Sequence, residues 1–168
     1  MLKEIETRRS IRKYVYEKMD ENDLLKIIEA GRLSPSAKNK QPWEFVVITN
    51  QEAKQEIAQK LEEKLERENP TSEALLNCSA AIALFNSLED DDWNLFSMGI
   101  CAENMMLEAT HLGYGSLCVG LTSLIESDIK RICKNSHHHL GIICVGKASE
   151  NPLPTYRKEL EEFVTYIR

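Results

Sequence analysis

Three guanidinium groups and a hydroxyl fall within five residues at Arg8-Arg9-Ser10-Ile11-Arg12, in a chain whose formal net charge is −6. A guanidinium stays charged at any working pH and offers forked donors that match phosphate oxygens. Further along lies Ser34-Pro35-Ser36-Ala37-Lys38-Asn39-Lys40-Gln41-Pro42-Trp43-Glu44-Phe45. Its serine, asparagine and glutamine exchange hydrogen bonds without carrying charge, which suits the rim of a neutral heteroaromatic ring. Its two prolines stiffen the turn that presents them. One stretch suits an anion and the other a polar ring edge, so a phosphorylated heterocycle would satisfy both. Taken without the later motifs, residues 8–12 read better as a basic turn bathed in water.

The elements that must position these groups follow from periodicity. Leu24, Leu25, Ile27, Ile28 and Leu33 predict a helix over 22–32, with Asn22 as its cap. Phe45 to Thr49 reads as a buried strand. Residues 51–68, with Ile57, Leu61 and Leu65 on one stripe, predict an amphipathic surface helix ended by Asn69-Pro70. Ala80 to Phe85 and Leu140 to Val145 read as buried strands, and Leu117 to Leu121 as a short strand or extended loop. A long helix from Trp93 to Leu112 is apolar nearly all round, which suits burial in a core or against a second subunit. Gly113 stops it. Residues 123–133 predict another helix, with Ser123 as cap. In the tail, Leu160, Phe163, Val164 and Ile167 keep helical spacing.

In order and spacing, R-R-S-x-R and S-P-S-A-x-N-x-Q-P-W-x-F resemble the nitroreductase family of FMN-dependent oxidoreductases. Gly113-Tyr114-Gly115-Ser116 through Val119-Gly120 extends the likeness, as does Val145-Gly146-Lys147 followed by Pro152, Pro154 and Arg157. The resemblance implies an α+β fold with a central mixed sheet flanked by helices. It also implies one FMN-binding domain over 1–168, and a C-terminal tail reaching across a homodimer. Arg8, Arg9 and Ser10 would take the FMN phosphate and ribityl chain, and Lys147 and Arg157 would complete that site. Arg12 would lie at the N1 and C2-carbonyl edge, where a cation stabilises the anionic reduced ring. Pro35, Ser36, Ala37 and Asn39 would line the flavin from the other subunit, while Gln41, Pro42 and Trp43 fix the turn and fill the core. The backbone of Val119, Gly120 and Leu121 would aim amides at N5 and O4, glycine letting the main chain come close. Leu117-Cys118 stands where relatives often carry an aromatic residue, which alters the pocket above the flavin.

The activity so implied is transfer of a hydride from NADH or NADPH, through the flavin, to an electron-poor acceptor of nitroaromatic or quinone type, in ping-pong turnover. No side chain reads as a general acid or nucleophile, and none is needed where the cofactor carries the chemistry. No G-x-G-x-x-G fingerprint occurs, which fits a nicotinamide that visits rather than resides. Two other readings keep the flavin: a dehalogenating or flavin-fragmenting relative on the same fold, and a binding or regulatory module with little turnover.

Composition bounds the rest. An apolar fraction of 42% and a charged fraction of 29% over 168 residues fit one globular domain with a real core. The acidic balance argues against nucleic acid as a partner. No apolar run is long enough to cross a bilayer, and charges at Lys3, Glu4 and Glu6 do not read as a secretory leader. Cys78, Cys101, Cys118, Cys133 and Cys144 form an odd set without a C-x-x-C pair, so reduced thiols in a cytoplasmic protein are expected. Cys118 reads as a packing thiol. His137-His138-His139 cannot all face one ion on a strand, and Asp90-Asp91-Asp92 lacks the spacing of a calcium loop, so no metal is expected.

Overall fold

The computed structural model describes residues 1–89 and 91–168. Ten elements follow one another: α1 (Lys3–Thr7), α2 (Glu21–Arg32), β1 (Trp43–Ile48), α3 (Gln51–Leu65), α4 (Pro70–Asn77), β2 (Ala80–Asn86), α5 (Asp92–His111), β3 (Gly115–Val119), α6 (Glu126–Cys133) and β4 (His138–Gly146). The strands form one sheet in the order β1-β2-β4-β3. All four pair antiparallel, whereas the resemblance implied a mixed sheet. Among the described residues, parallel character is confined to an isolated bridge between Ser10 and Ser116.

Helices cover both faces, which is why β2 and β4 read as unbroken apolar runs. Alternate residues leave a strand on opposite sides. Ala81, Ala83 and Phe85 of β2 join Ile142 and Cys144 of β4 in a core with Ile57, Leu61 and Leu75 from α3 and α4. Ile82 and Leu84 join Ile143 and Val145 in a second core with Ile27 of α2 and Met98, Met105 and Ala109 of α5. Trp43 packs in this second core, as the sequence implied.

Several boundaries differ from the sequence expectation, each for a local reason. The cap of α2 is Asp20, not Asn22: its carboxylate accepts from the amides of Asn22 (2.8 Å) and Asp23 (3.2 Å). β1 spans Trp43–Ile48 rather than Phe45–Thr49. α3 ends at Leu65, and Asn69-Pro70 opens a further helix: Asn69 caps α4 through Thr71 N, with proline where its missing N–H costs nothing. The expected helix over 123–133 divides into a 3₁₀ stretch, Gly120–Ile125, and α6, so Ser123 caps nothing. Asp91 caps α5 through Asn94 N at 2.6 Å, while Asp90 lies outside the described residues.

The tail does not form the expected helix. Beyond Pro152 it holds only a 3₁₀ turn, Leu160–Glu162, and Leu160, Phe163, Tyr166 and Ile167 are all exposed. Its side chains join neither core, and a helix this short is marginal without packing. Among the described residues, no helix is long and apolar enough to cross a membrane.

Candidate functional site

The basic run lies on an extended arm that crosses the edge of β3 and then the end of β4. Ile11 N donates to Ser116 O (2.9 Å), Val15 N to Lys147 O (2.9 Å), and Ser149 N to Lys13 O (2.9 Å). Ile11 and Tyr14 are buried, and the Tyr14 hydroxyl donates to Cys144 O at 3.4 Å. Tyr16 sits with its ring centroid 5.6 Å from Lys54 Nζ, a buried ammonium that donates to Cys78 O at 2.6 Å. Because Ile11 points inward, Ser10 and Arg12 on either side face solvent.

Arg8 is held by α5: its Nε lies 3.2 Å from a carboxylate oxygen of Glu103. Its two terminal nitrogens make no hydrogen bond among the described residues, and neither does the Ser10 hydroxyl. Arg9 spends Nη1 on Glu6 O and Arg8 O. The backbone amides of Arg12 and Lys13 donate to Glu150 Oε1 (2.5 and 3.1 Å), while Arg12 Nη1 reaches back to Ser10 O at 3.4 Å. Lys147 joins this neighbourhood through the arm and pairs with Glu17 at 3.4 Å. A cleft of about 230 Å³ opens among Arg8, Arg9, Ile11, Tyr114, Ser116 and Glu150.

At the far end of β3, Cys118 is exposed, and its thiol is pushed up first by desolvation and then by Glu103, with Arg8 opposing. Cys118 stands two residues before Gly120. Gly120 and Leu121 are exposed, Val119 is buried, and a Cβ added at Gly120 would meet open space. Behind this turn, Thr122 Oγ1 lies 3.0 Å from Val119 O and 2.9 Å from His139 Nε2. Burial holds the His139 imidazole down to about 4, partly offset by Glu126. Among the described residues, no group of three or more His, Cys, Asp or Glu is placed to hold a metal ion.

The polar loop is hydrogen-bonded within itself and lies against the first turns of α5. Lys38, Asn39 and Gln41 all occupy the left-handed region (φ 53°, 55° and 49°), an unusual concentration for residues with side chains. Such strain persists only where surroundings over-determine it. Here Ser36 Oγ accepts from Gln41 N (2.9 Å), Asn39 N donates to Ser36 O (2.9 Å), and Ala37 N donates to Ser97 Oγ (3.3 Å). Asn104, next to Glu103 on α5, donates to Ser34 Oγ at 2.8 Å. Pro35 and Asn39 face solvent; Ser36 and Ala37 are half-buried.

One copy therefore sets Arg8, Arg9, Ser10 and Arg12 along one arm beside the start of β3, Lys147 against that arm at the end of β4, the Val119–Leu121 turn at the far end of β3, and the Pro35–Asn39 loop against α5. It does not bring Arg157 to them: among the described residues that guanidinium donates to Thr155 Oγ1 and Tyr156 O of its own tail. Sequence reasoning missed Glu103 on α5, and the buried Thr122–His139 contact.

With this arrangement in view, the chain can be compared with known proteins. The profile of the nitroreductase family matches residues 5–147. The chain belongs to the nitroreductase family. A Methanothermobacter thermautotrophicus protein provisionally named NADH dehydrogenase/NAD(P)H nitroreductase is 30% identical over 159 residues, covering 90% of this chain and 79% of its own. An Archaeoglobus fulgidus protein of the same provisional name is 34% identical over 125 residues, 71% of this chain and 67% of its own. The fold is also that of a nitroreductase with bound FMN from Bacteroides fragilis: TM-score 0.80 at 21% identity, over 99% of this chain and 98% of that one. This nitroreductase thus carries the arm, the turn and the loop on its family's fold.

Proposed function

We propose that this nitroreductase binds FMN between the arm and the Val119–Leu121 turn, and passes reducing equivalents from NAD(P)H to an electron-poor acceptor. The observation that carries the reading is the pairing of unspent donors with an open backbone. Among the described residues the terminal nitrogens of Arg8 and the Ser10 hydroxyl make no hydrogen bond, and a Cβ on Gly120 would meet open space. That donor set fits a phosphate, and a glycine without a side chain in the way fits the close approach of a flat ring.

Bound FMN would supply hydride chemistry. This chain's part is to hold and orient. Arg8, fixed by Glu103, Ser10 and Lys147 would grip the phosphate, with Arg9 behind them. Arg12 is exposed and would put a cation where negative charge develops on the ring. The peptide groups of Val119, Gly120 and Leu121 would present fixed donors, which need no reorganisation when charge appears.

Pro35, Ser36, Ala37 and Asn39 would serve the site of a second copy in a homodimer. Trp93 (67% exposed), Phe96 (66%) and the apolar tail leave more hydrophobic surface bare than an isolated chain should carry. The tail, with Arg157, would find its place on that second copy. A donor that binds and leaves before the acceptor enters gives ping-pong turnover.

The test is the absorbance spectrum of freshly purified protein, followed by titration of apoprotein with FMN and anaerobic mixing with NADH or NADPH. A flavin spectrum bleached within seconds by either nucleotide is expected. Colourless protein that does not quench FMN fluorescence would sink the reading.

A further inference from the structure

The turn that would meet the flavin is braced from behind by two buried side chains absent from the site as the sequence drew it. Thr122 and His139 are both fully buried. The threonine hydroxyl has one hydrogen and two neighbours: Val119 O at 3.0 Å and His139 Nε2 at 2.9 Å. The carbonyl can only accept, so the hydroxyl donates to it and the imidazole donates through Nε2–H to the hydroxyl. This tautomer leaves Nδ1 as a bare lone pair. Nδ1 is indeed buried without a hydrogen-bond partner among the described residues, and burial keeps the ring neutral.

Two further contacts close the arrangement. A Cβ on Gly141 of β4 would come within 3.0 Å of Val119 O and 3.6 Å of Gly120 Cα, so the sheet backs directly onto this peptide. The His139 ring rests against Phe85 with centroids 5.2 Å apart, and His139 N is held by Glu126 Oε1 at 3.0 Å. Across a trans peptide the carbonyl and the following N–H point in opposite directions, and the described residues include no cis bond. A Val119 carbonyl tied inward therefore turns the Gly120 N–H outward, at the start of a 3₁₀ helix where the first amides lack intrahelical partners.

We propose that Thr122 and His139 are positioning residues: together they lock the Val119–Gly120 peptide so that the Gly120 N–H stands as a fixed donor toward the ring edge of bound flavin. This rests on the FMN reading above. It also gives one of the three adjacent histidines a role. Strand alternation sends His139 inward, and that role is polar bracing rather than metal binding.

The experiment compares wild type, Thr122→Val and Thr122→Ser by FMN titration of apoprotein and by the two-electron midpoint potential of the bound flavin. Valine keeps the shape and removes both hydrogen bonds; serine keeps them. A donor at a ring carbonyl favours the electron-rich reduced state, so T122V should bind FMN about three- to tenfold more weakly. Its potential should also move negative, and T122S should match wild type in both. If T122V does not fold, Thr122→Ala, which also lacks the hydroxyl, decides by the same two readouts. Wild-type affinity and potential in the decisive variant overturn the relay while leaving the FMN reading intact. A wild type that binds no FMN overturns the parent reading instead.

Discussion

Acid should remove stability from this protein through one residue, His139. Its pKa is held at about 4 in the fold, against 6.5 for the ordinary imidazole, because burial penalises the cation. Protonation would also place an N–H on Nδ1, where no acceptor waits. Between those two values the unfolded chain binds the extra proton and the folded chain does not. Stability is therefore complete above pH 6.5, declines as pH falls toward 4, and levels off below. The whole shift corresponds to about 3 kcal/mol, of which about 2 kcal/mol is gone by pH 5. Carboxylates also titrate in this range, so the comparison needs a variant. Urea unfolding of wild type and His139→Gln from pH 7.5 to 4.5 should show wild type losing about 2 kcal/mol more than the variant by pH 5. Parallel curves would refute the reasoning. So would an imidazole resonance of His139 that titrates near 6.5.

Three other outcomes follow from contacts described above. Arg8→Ala should weaken FMN binding by about 1.5–3 kcal/mol, the range for a hydrogen bond to a charged group, as read by fluorescence quenching of apoprotein. Gly146→Ala should destabilise by about 1–3 kcal/mol in urea, because its Cβ would lie 2.9 Å from the backbone nitrogen of Ser79, which cannot swing aside. Removing residues 152–168 should shift sedimentation toward a single copy and lower FMN affinity, since the exposed tail of Phe163 and Ile167 would lose its partner surface.

The strands and long helices were legible wherever burial alone set the pattern. β2 and β4 are apolar on both faces, and the length and apolar content of α5 marked it for burial in a core or against a second subunit. What misled was punctuation that works in two directions. Asn69-Pro70 marks the end of one helix and equally the start of the next, and only the Asn69 side chain on Thr71 N decides between them. The tail shows the opposite failure: helical spacing, but side chains that stay exposed and form no helix. In the site, the cations and the polar loop announced themselves by type. Their supports did not. Glu103 meets Arg8 only because α5 lies under the arm. His139 was hidden in a run of three, and strand alternation had to separate it from its neighbours before Thr122 could be seen as its partner.

The strand order β1-β2-β4-β3 has a consequence for how the chain comes into being. The inner strand that joins the two halves of the sheet, His138–Gly146, is the last of the four to leave the ribosome. Until it emerges, β2 and β3 each expose an open hydrogen-bonding edge that a neighbouring nascent chain can capture. Assembly must therefore wait for nearly the whole polypeptide. Premature termination ahead of β4 should yield insoluble fragments rather than a smaller working protein.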